Sequence, residues 1–183
     1  MTELLYRLDP YGRDAGATVV SSGPEGVVLD RTLFYARAGG QPGDSGTLRW
    51  AKPDGGFAEA KVTEALKGTD NTVLHTLPED APRPEPGTNV IASIDWERRH
   101  RHMRMHTTLH LLCAVMPGIY ATGNQIGAEK SRLDFDLPEP PPKEWLTQQL
   151  NLLIASDHPV GERWIEEAEL DRNPGLVRTL SVQ

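Results

Sequence analysis

Six short β-like runs before residue 80, each closed off by turn-forming residues, constrain this chain more than any other feature. They are "ATVVSS" (17–22), "GVVLD" (26–30), "TLFYA" (32–36), "GTLRW" (46–50), "AEAKVTEAL" (58–66) and "TVLHTL" (72–77). Strands at this spacing build a small antiparallel barrel or sandwich. The 17 glycines and 15 prolines in 183 residues also favour short strands and many turns over a helical bundle. The acidic, Pro-rich stretch "LPEDAPRPEPGT" (77–88) has little potential for helix or strand and marks a shift in composition. "TNVIASID" (88–95) reads as one more strand, leading into the second half.

That second half changes character. From about Trp96 to Val115, Met105, Leu109, Leu112 and Met116 recur at four- and three-residue spacing, the stripe of a core-facing helix. "SRLDFDL" (131–137) alternates like a half-buried strand, and "PPKEWLTQQLNLLIAS" (141–156) has proline in its opening turn followed by helical spacing. "VGERWIEE" (160–167) reads as a strand running into a short helix, and the closing "LVRTLSVQ" is strand-like. The expected class is α+β, with helices on one face of a mostly antiparallel sheet. Its division would fall between 1–88 and 89–183, and the second domain is expected to be incomplete at its C-terminus.

Several classes are excluded by composition. No segment approaches 18 consecutive apolar residues, so no membrane-spanning stretch is expected, and the N-terminus lacks a signal-peptide pattern. A single cysteine, Cys113, provides no disulfide framework and fits a reducing cytoplasm. The net charge of −7 argues against wholesale wrapping of nucleic acid. A local basic patch of Arg98, Arg99, Arg101 and Arg104 still exists, and phosphate binding follows local potential.

Within that patch begins "RRHRHMRMHTTLHLL" (98–112), which holds four of the six histidines. Residues four apart on a helix project from one side, so His106 and His110 can converge on a metal ion. Two histidines are half of a zinc site, and the HxxxH pattern lacks the glutamate of a metalloprotease. His102 extends the row, but between Arg101 and Arg104 it reads as facing solvent or phosphate. The second cluster is "YARAGGQPGDSGTLRW" (35–50), with glycines at 39, 40, 43 and 46 around Gln41 and Asp44. So many glycines in one turn point to positive φ angles or close backbone approach. The spacing is neither a P-loop nor a dinucleotide fingerprint. Gln41 stands out because an amide both donates to and accepts from a ligand. A metal-independent hydrolase with Asp44 or His102 as base finds no partner in the sequence to orient either.

Taken in order, "GGQPGDSG", "IDWERR", "HTTLHLL", "TGNQIG" and "RLDFDLP" resemble the editing domain of alanyl-tRNA synthetase and its free-standing AlaX-type relatives. The resemblance runs from roughly residue 5 to the end. It implies a β-barrel-like N-terminal domain carrying the glycine motif, followed by a two-layer α+β editing domain. It further implies a trans-editing deacylase that hydrolyses mischarged Ser-tRNA(Ala), and possibly Gly-tRNA(Ala), with zinc as cofactor. On this resemblance His106 and His110 match two zinc ligands, Gln41 lies at the mouth of the cleft, and Thr122 to Gln125 line the amino-acid pocket, with Thr122 and Gln125 as catalytic candidates. Arg98, Arg99, Arg101 and Arg104 become tRNA-backbone candidates. The family's remaining ligands belong to a C-terminal Cys-x-x-x-His element, and no cysteine follows Cys113 here. The expectation is therefore a fragment that stops before that element, with His158 a poor substitute in a loop. The alternative is a catalytically weak tRNA-binding module that lacks half of its zinc ligands. Asn124 stands where the family often has glycine.

Overall fold

The structure, a computed structural model, describes residues 1–161 and 163–177. Its strands are β1 (Glu3–Leu4), β2 (Asp14–Gly23), β3 (Gly26–Leu29), β4 (Arg31–Thr32), β5 (Gly46–Ala51), β6 (Phe57–Val62), β7 (Glu64–Lys67), β8 (Val73–Thr76) and β9 (Asn89–Ile94). Helix α1 (Trp96–Val115) follows, then the hairpin β10 (Ala121–Gln125) and β11 (Arg132–Phe135), α2 (Lys143–Ala155) and α3 (Glu167–Arg172). This is an α+β fold. Two compact units divide it, Met1–His102 and Met103–Gln183.

In the first unit one antiparallel sheet runs β6-β5-β9-β2-β3-β8-β7. Its two edge strands, β6 and β7, are separated in sequence by Thr63 alone. One bent strand therefore supplies both edges, and the sheet turns back on itself in a barrel-like form that leaves little free edge. The run 58–66, which reads as one strand in the sequence, is thus two. The bend is held where the Thr63 N–H donates to the Thr76 carbonyl at 2.9 Å. A second corner lies within β2: Asp14–Thr18 pairs with β9, and the register then shifts between Val19 and Ser21 as the strand moves onto β3. The extra residue, Val20, is left 56% exposed, as expected for a bulge. Alternation supplies the core, most plainly in β6, where Ala58, Ala60 and Val62 are buried and Phe57, Glu59 and Lys61 are exposed.

Two sequence expectations change here. Of "TLFYA", only Thr32 is in a strand, where it pairs with Leu4 of β1 in parallel. Leu33, Phe34 and Ala36 still fill the core from irregular backbone. Their backbone groups are satisfied by side chains: the Phe34 N–H donates to Thr32 Oγ1 at 3.0 Å, and Arg99 donates to the Leu33 carbonyl at 2.6 Å. The other change concerns 88–95, placed with the second half by composition. β9 is paired on both sides, by β2 and β5, and belongs to the first unit's sheet.

α1 begins because Asp95 caps it, its Oδ1 accepting the Arg98 N–H at 3.1 Å. It ends before Pro117 and Gly118, whose φ of 80° needs no Cβ. The inward face keeps Leu109 and Met116 of the apolar stripe read from sequence and adds polar members. Arg99, His102, Cys113 and Met116 are buried, with His106 and Leu109 half-buried between them. This 3-4-3-4-3 spacing is a regular helical stripe in which three members are polar.

In the second unit β10 and β11 form an antiparallel hairpin whose register shifts between Ala121 and Gly123. α2 occupies most of 141–156, and none of its residues is buried. Among the described residues from 160 to 166 no strand is present, and the helix after them is α3, from Glu167. Of the strand-like "LVRTLSVQ", residues 178–183 lie outside the described residues. Among the described residues no helix is long and apolar enough to cross a membrane.

Candidate functional site

The second unit holds a cavity of about 330 Å³. One wall is α1, which contributes His106, Leu109, His110 and Cys113; the hairpin faces it with Gly123 and Asn124 of β10 and Leu133 of β11, and Leu176 and Val177 also line it. The four-residue spacing puts His106 and His110 side by side, with ring centroids 5.0 Å apart and planes 15° apart. His110 is exposed and His106 half-buried. Burial pushes the His106 pKa down, and the neighbouring His110 adds to the shift. At neutral pH His106 is therefore held as the neutral imidazole, the form that ligates a metal or accepts a proton. The lining is otherwise apolar except for the Asn124 carboxamide. Such a cavity can hold a small side chain with one polar group facing an amide.

Zinc takes imidazole nitrogens and needs three or four protein donors. His106 and His110 fit as two of them. Among the described residues no group of three or more His, Cys, Asp or Glu is placed to hold a metal. Cys113 lies on the cavity wall yet does not join such a group, and His158 is exposed beyond α2. Thr122 and Gln125 are exposed on β10 and are not among the residues lining the cavity. Of this segment, Gly123 and Asn124 line it.

The glycine motif lies in the first unit. Gly39 and Gly40, at φ 57° and 79°, form the tip of a two-residue hairpin closed by reciprocal bonds between Ala38 and Gln41 at 3.2 and 2.9 Å. Gln41 is buried at 4% exposure. Gly43 and Gly46 are glycines through crowding, since a Cβ would lie 1.9 Å from the Ala65 carbonyl oxygen and 2.0 Å from that of Ser93. Asp44, 1% exposed, accepts the Tyr35 N–H at 2.8 Å and the Arg99 Nε–H at 2.7 Å. Both carboxylate oxygens are committed to Arg99, so Asp44 is a structural clamp and not a free base.

This corrects the role read for Arg99. It is 4% exposed and donates inward to Asp44 and Leu33, so it is withdrawn from any phosphate. His102 is corrected as well. At 2% exposure it faces the interior, with Nδ1 buried and without a hydrogen-bond partner. Desolvation lowers its pKa, with Arg98 contributing. Arg98 is half-buried and donates to the Gly43 carbonyl at 2.6 Å. Arg101 and Arg104 are exposed.

The family model for class II (A) tRNA synthetases matches residues 12–98. Over 191 aligned residues the chain is 38% identical to the alanyl-tRNA editing protein AlaX-M of Methanosarcina mazei, covering 99% of this chain and 74% of that protein. It is 30% identical to the AlaX-M protein of Saccharolobus solfataricus, over 97% of this chain and 75% of the relative. An alanine–tRNA ligase of Pyrobaculum arsenaticum is 36% identical over 96% of this chain, which amounts to 20% of the ligase. Similarity that extends over nearly the whole chain, glycine motif and histidine helix included, shows that the chain belongs to the AlaX-type alanyl-tRNA editing proteins.

Proposed function

We propose that this chain is a trans-acting aminoacyl-tRNA deacylase that hydrolyses the ester joining a wrong amino acid, serine foremost and glycine second, to tRNA(Ala). The observation that carries the reading is the pair His106–His110 on the wall of a small cavity that Asn124 also lines. The need for such an enzyme is physical. A pocket shaped for a small apolar side chain rejects an isostere with an added hydroxyl only by a factor of order 10². A second site built to hydrogen-bond that hydroxyl rejects the analogue lacking it far better. The Asn124 carboxamide offers a donor and an acceptor to a serine hydroxyl, and alanine would leave both unmet.

His106 and His110 would hold a zinc ion, which as a Lewis acid polarises an ester carbonyl or makes a bound water nucleophilic near neutral pH. Burial keeps His106 uncharged for that role. The exposed Arg101 and Arg104 would meet the tRNA backbone, with Arg98 held closer in by Gly43. A second reading, a tRNA-binding module without chemistry, is favoured by the two-membered donor set among the described residues.

Hydrolysis of Ser-tRNA(Ala), Gly-tRNA(Ala) and Ala-tRNA(Ala) tests the proposal. The expected order is serine first and alanine slower by about 100-fold or more. tRNA binding with no hydrolysis of any of the three selects the second reading.

A further inference from the structure

Where α1 begins, four side chains of the first unit form a ring-and-cation surface that the proposed chemistry leaves unused. Trp96 stacks on His100, one helical turn on, with centroids 5.3 Å apart and planes 11° apart. Tyr11 meets Trp96 at 5.5 Å, tilted by 46°. The Arg13 guanidinium sits 4.8 Å from the centre of the same indole. A cluster built only to exclude water would be buried, and this one is not. Tyr11 is 62% exposed, Arg13 is exposed, and Trp96 and His100 are half-buried.

Two guanidinium groups at this surface remain open to an anionic partner. Of the four carboxylates within two residues of these in the chain, Asp14 and Glu97 are exposed, while Asp9 and Asp95 are turned to backbone amides. Asp9 Oδ1 accepts the Tyr11 N–H at 3.0 Å, and Asp95 Oδ1 accepts the Arg98 N–H at 3.1 Å. Arg13 and the exposed Arg101, next to His100, take part in no salt bridge among the described residues. An exposed aromatic ring bordered by guanidinium groups, here Tyr11, accepts a further flat π system and its phosphates, the arrangement that binds single-stranded nucleic acid. A base inside a duplex has its faces covered by its neighbours, so such a surface selects unpaired nucleotides.

We infer that Tyr11, Trp96, His100 and Arg13 form a stacking platform for an unpaired nucleotide of the tRNA, with Arg13 and Arg101 meeting the flanking phosphates. The choice of tRNA as occupant rests on the editing reading above.

Fluorescence anisotropy with a short, labelled single-stranded RNA of mixed sequence, set against the same sequence as an RNA duplex, tests the platform. Tyr11 is exposed, so Tyr11→Ala removes no core, and thermal melts of each variant confirm the fold. The single strand should bind tighter than the duplex. Tyr11→Ala should weaken single-strand binding by about tenfold, the size of one lost base stack. Tyr11→Phe should retain it, Arg13→Gln should weaken it, and none of the three should move duplex binding. Equal affinity of Tyr11→Ala and wild type, a preference for duplex, or no RNA binding would each overturn the platform. Deacylation assayed in parallel separates the two ideas. Hydrolysis without any dependence on Tyr11 leaves the editing reading standing alone, whereas Tyr11-dependent binding without hydrolysis leaves only the platform.

Discussion

Asp44 and Arg99 lie 55 positions apart and neither looks structural in the sequence, yet together they bind the glycine loop to the start of α1. Both are almost fully buried, and Arg99 also satisfies the Leu33 carbonyl. Removing one partner strands the other charge in a low-dielectric interior, a loss of about 3–5 kcal/mol. Arg99→Ala and Asp44→Ala should therefore each lower the urea midpoint by several times as much as Arg101→Ala, whose side chain is exposed. Equal small losses for all three would refute the clamp. The glycines on either side illustrate how far sequence reading reaches. That so many glycines meant close backbone approach was legible, and Gly43 and Gly46 bear it out against Ala65 and Ser93. Which residue the loop existed to hold was not, because a buried ion pair between distant residues has no local signature. Gly16 provides a contrast, with open space where its Cβ would be. Gly16→Ala should raise stability by about 0.5–1 kcal/mol, whereas Gly43→Ala should lower it by about 3 kcal/mol.

Among the elements, most strands of the first unit were readable from alternation and turn residues. Their corners were not, since Thr63 and Val20 look like ordinary strand residues. The extent of α1 was legible, but only part of its inward face was, Leu109 and Met116. A search for apolar residues finds Met105 and Leu112, while the stripe that is buried includes Arg99, His102 and Cys113. β8 carries a further consequence. Its His75 is fully enclosed, with Nε2 2.8 Å from Thr32 Oγ1 and Nδ1 3.0 Å from the Val27 carbonyl. The Val27 carbonyl can only accept, so Nδ1 carries the ring proton and the Thr32 hydroxyl donates to Nε2. Burial takes the His75 pKa from 6.5 down to about 4. The unfolded chain therefore binds this proton more readily. The stabilisation is complete above the unfolded pKa of 6.5 and is lost as pH falls towards 4, by about 3 kcal/mol in all. Urea midpoints measured across that window should fall more steeply for wild type than for His75→Gln. Parallel curves would contradict this account.

At the scale of the whole molecule, a net charge of −7 has to coexist with the nucleic-acid partner that the proposed function requires. Affinity must then come from a few local cations, and the structure sorts these by burial. Arg101→Gln and Arg104→Gln should each reduce the dependence of tRNA binding on salt by about one phosphate contact. Arg99 should contribute to stability and not to that slope. The α+β class and its ordering, strands before helices, were legible because both periodicities are strong. The cavity of the second unit was legible only in part. HxxxH on a helix named His106 and His110, and the segment 122–125 was named through the family resemblance, whereas which of its members line the cavity comes from the structure.

Zinc content and Ser-tRNA(Ala) hydrolysis, measured together on wild type and His106→Ala, test the central claim most directly. The account predicts bound zinc and hydrolysis in the wild type, both removed by a chelator. Both should also be lost in a His106→Ala variant whose thermal melt still shows a folded chain. Hydrolysis at the wild-type rate in that variant, or none in the wild type, would contradict it.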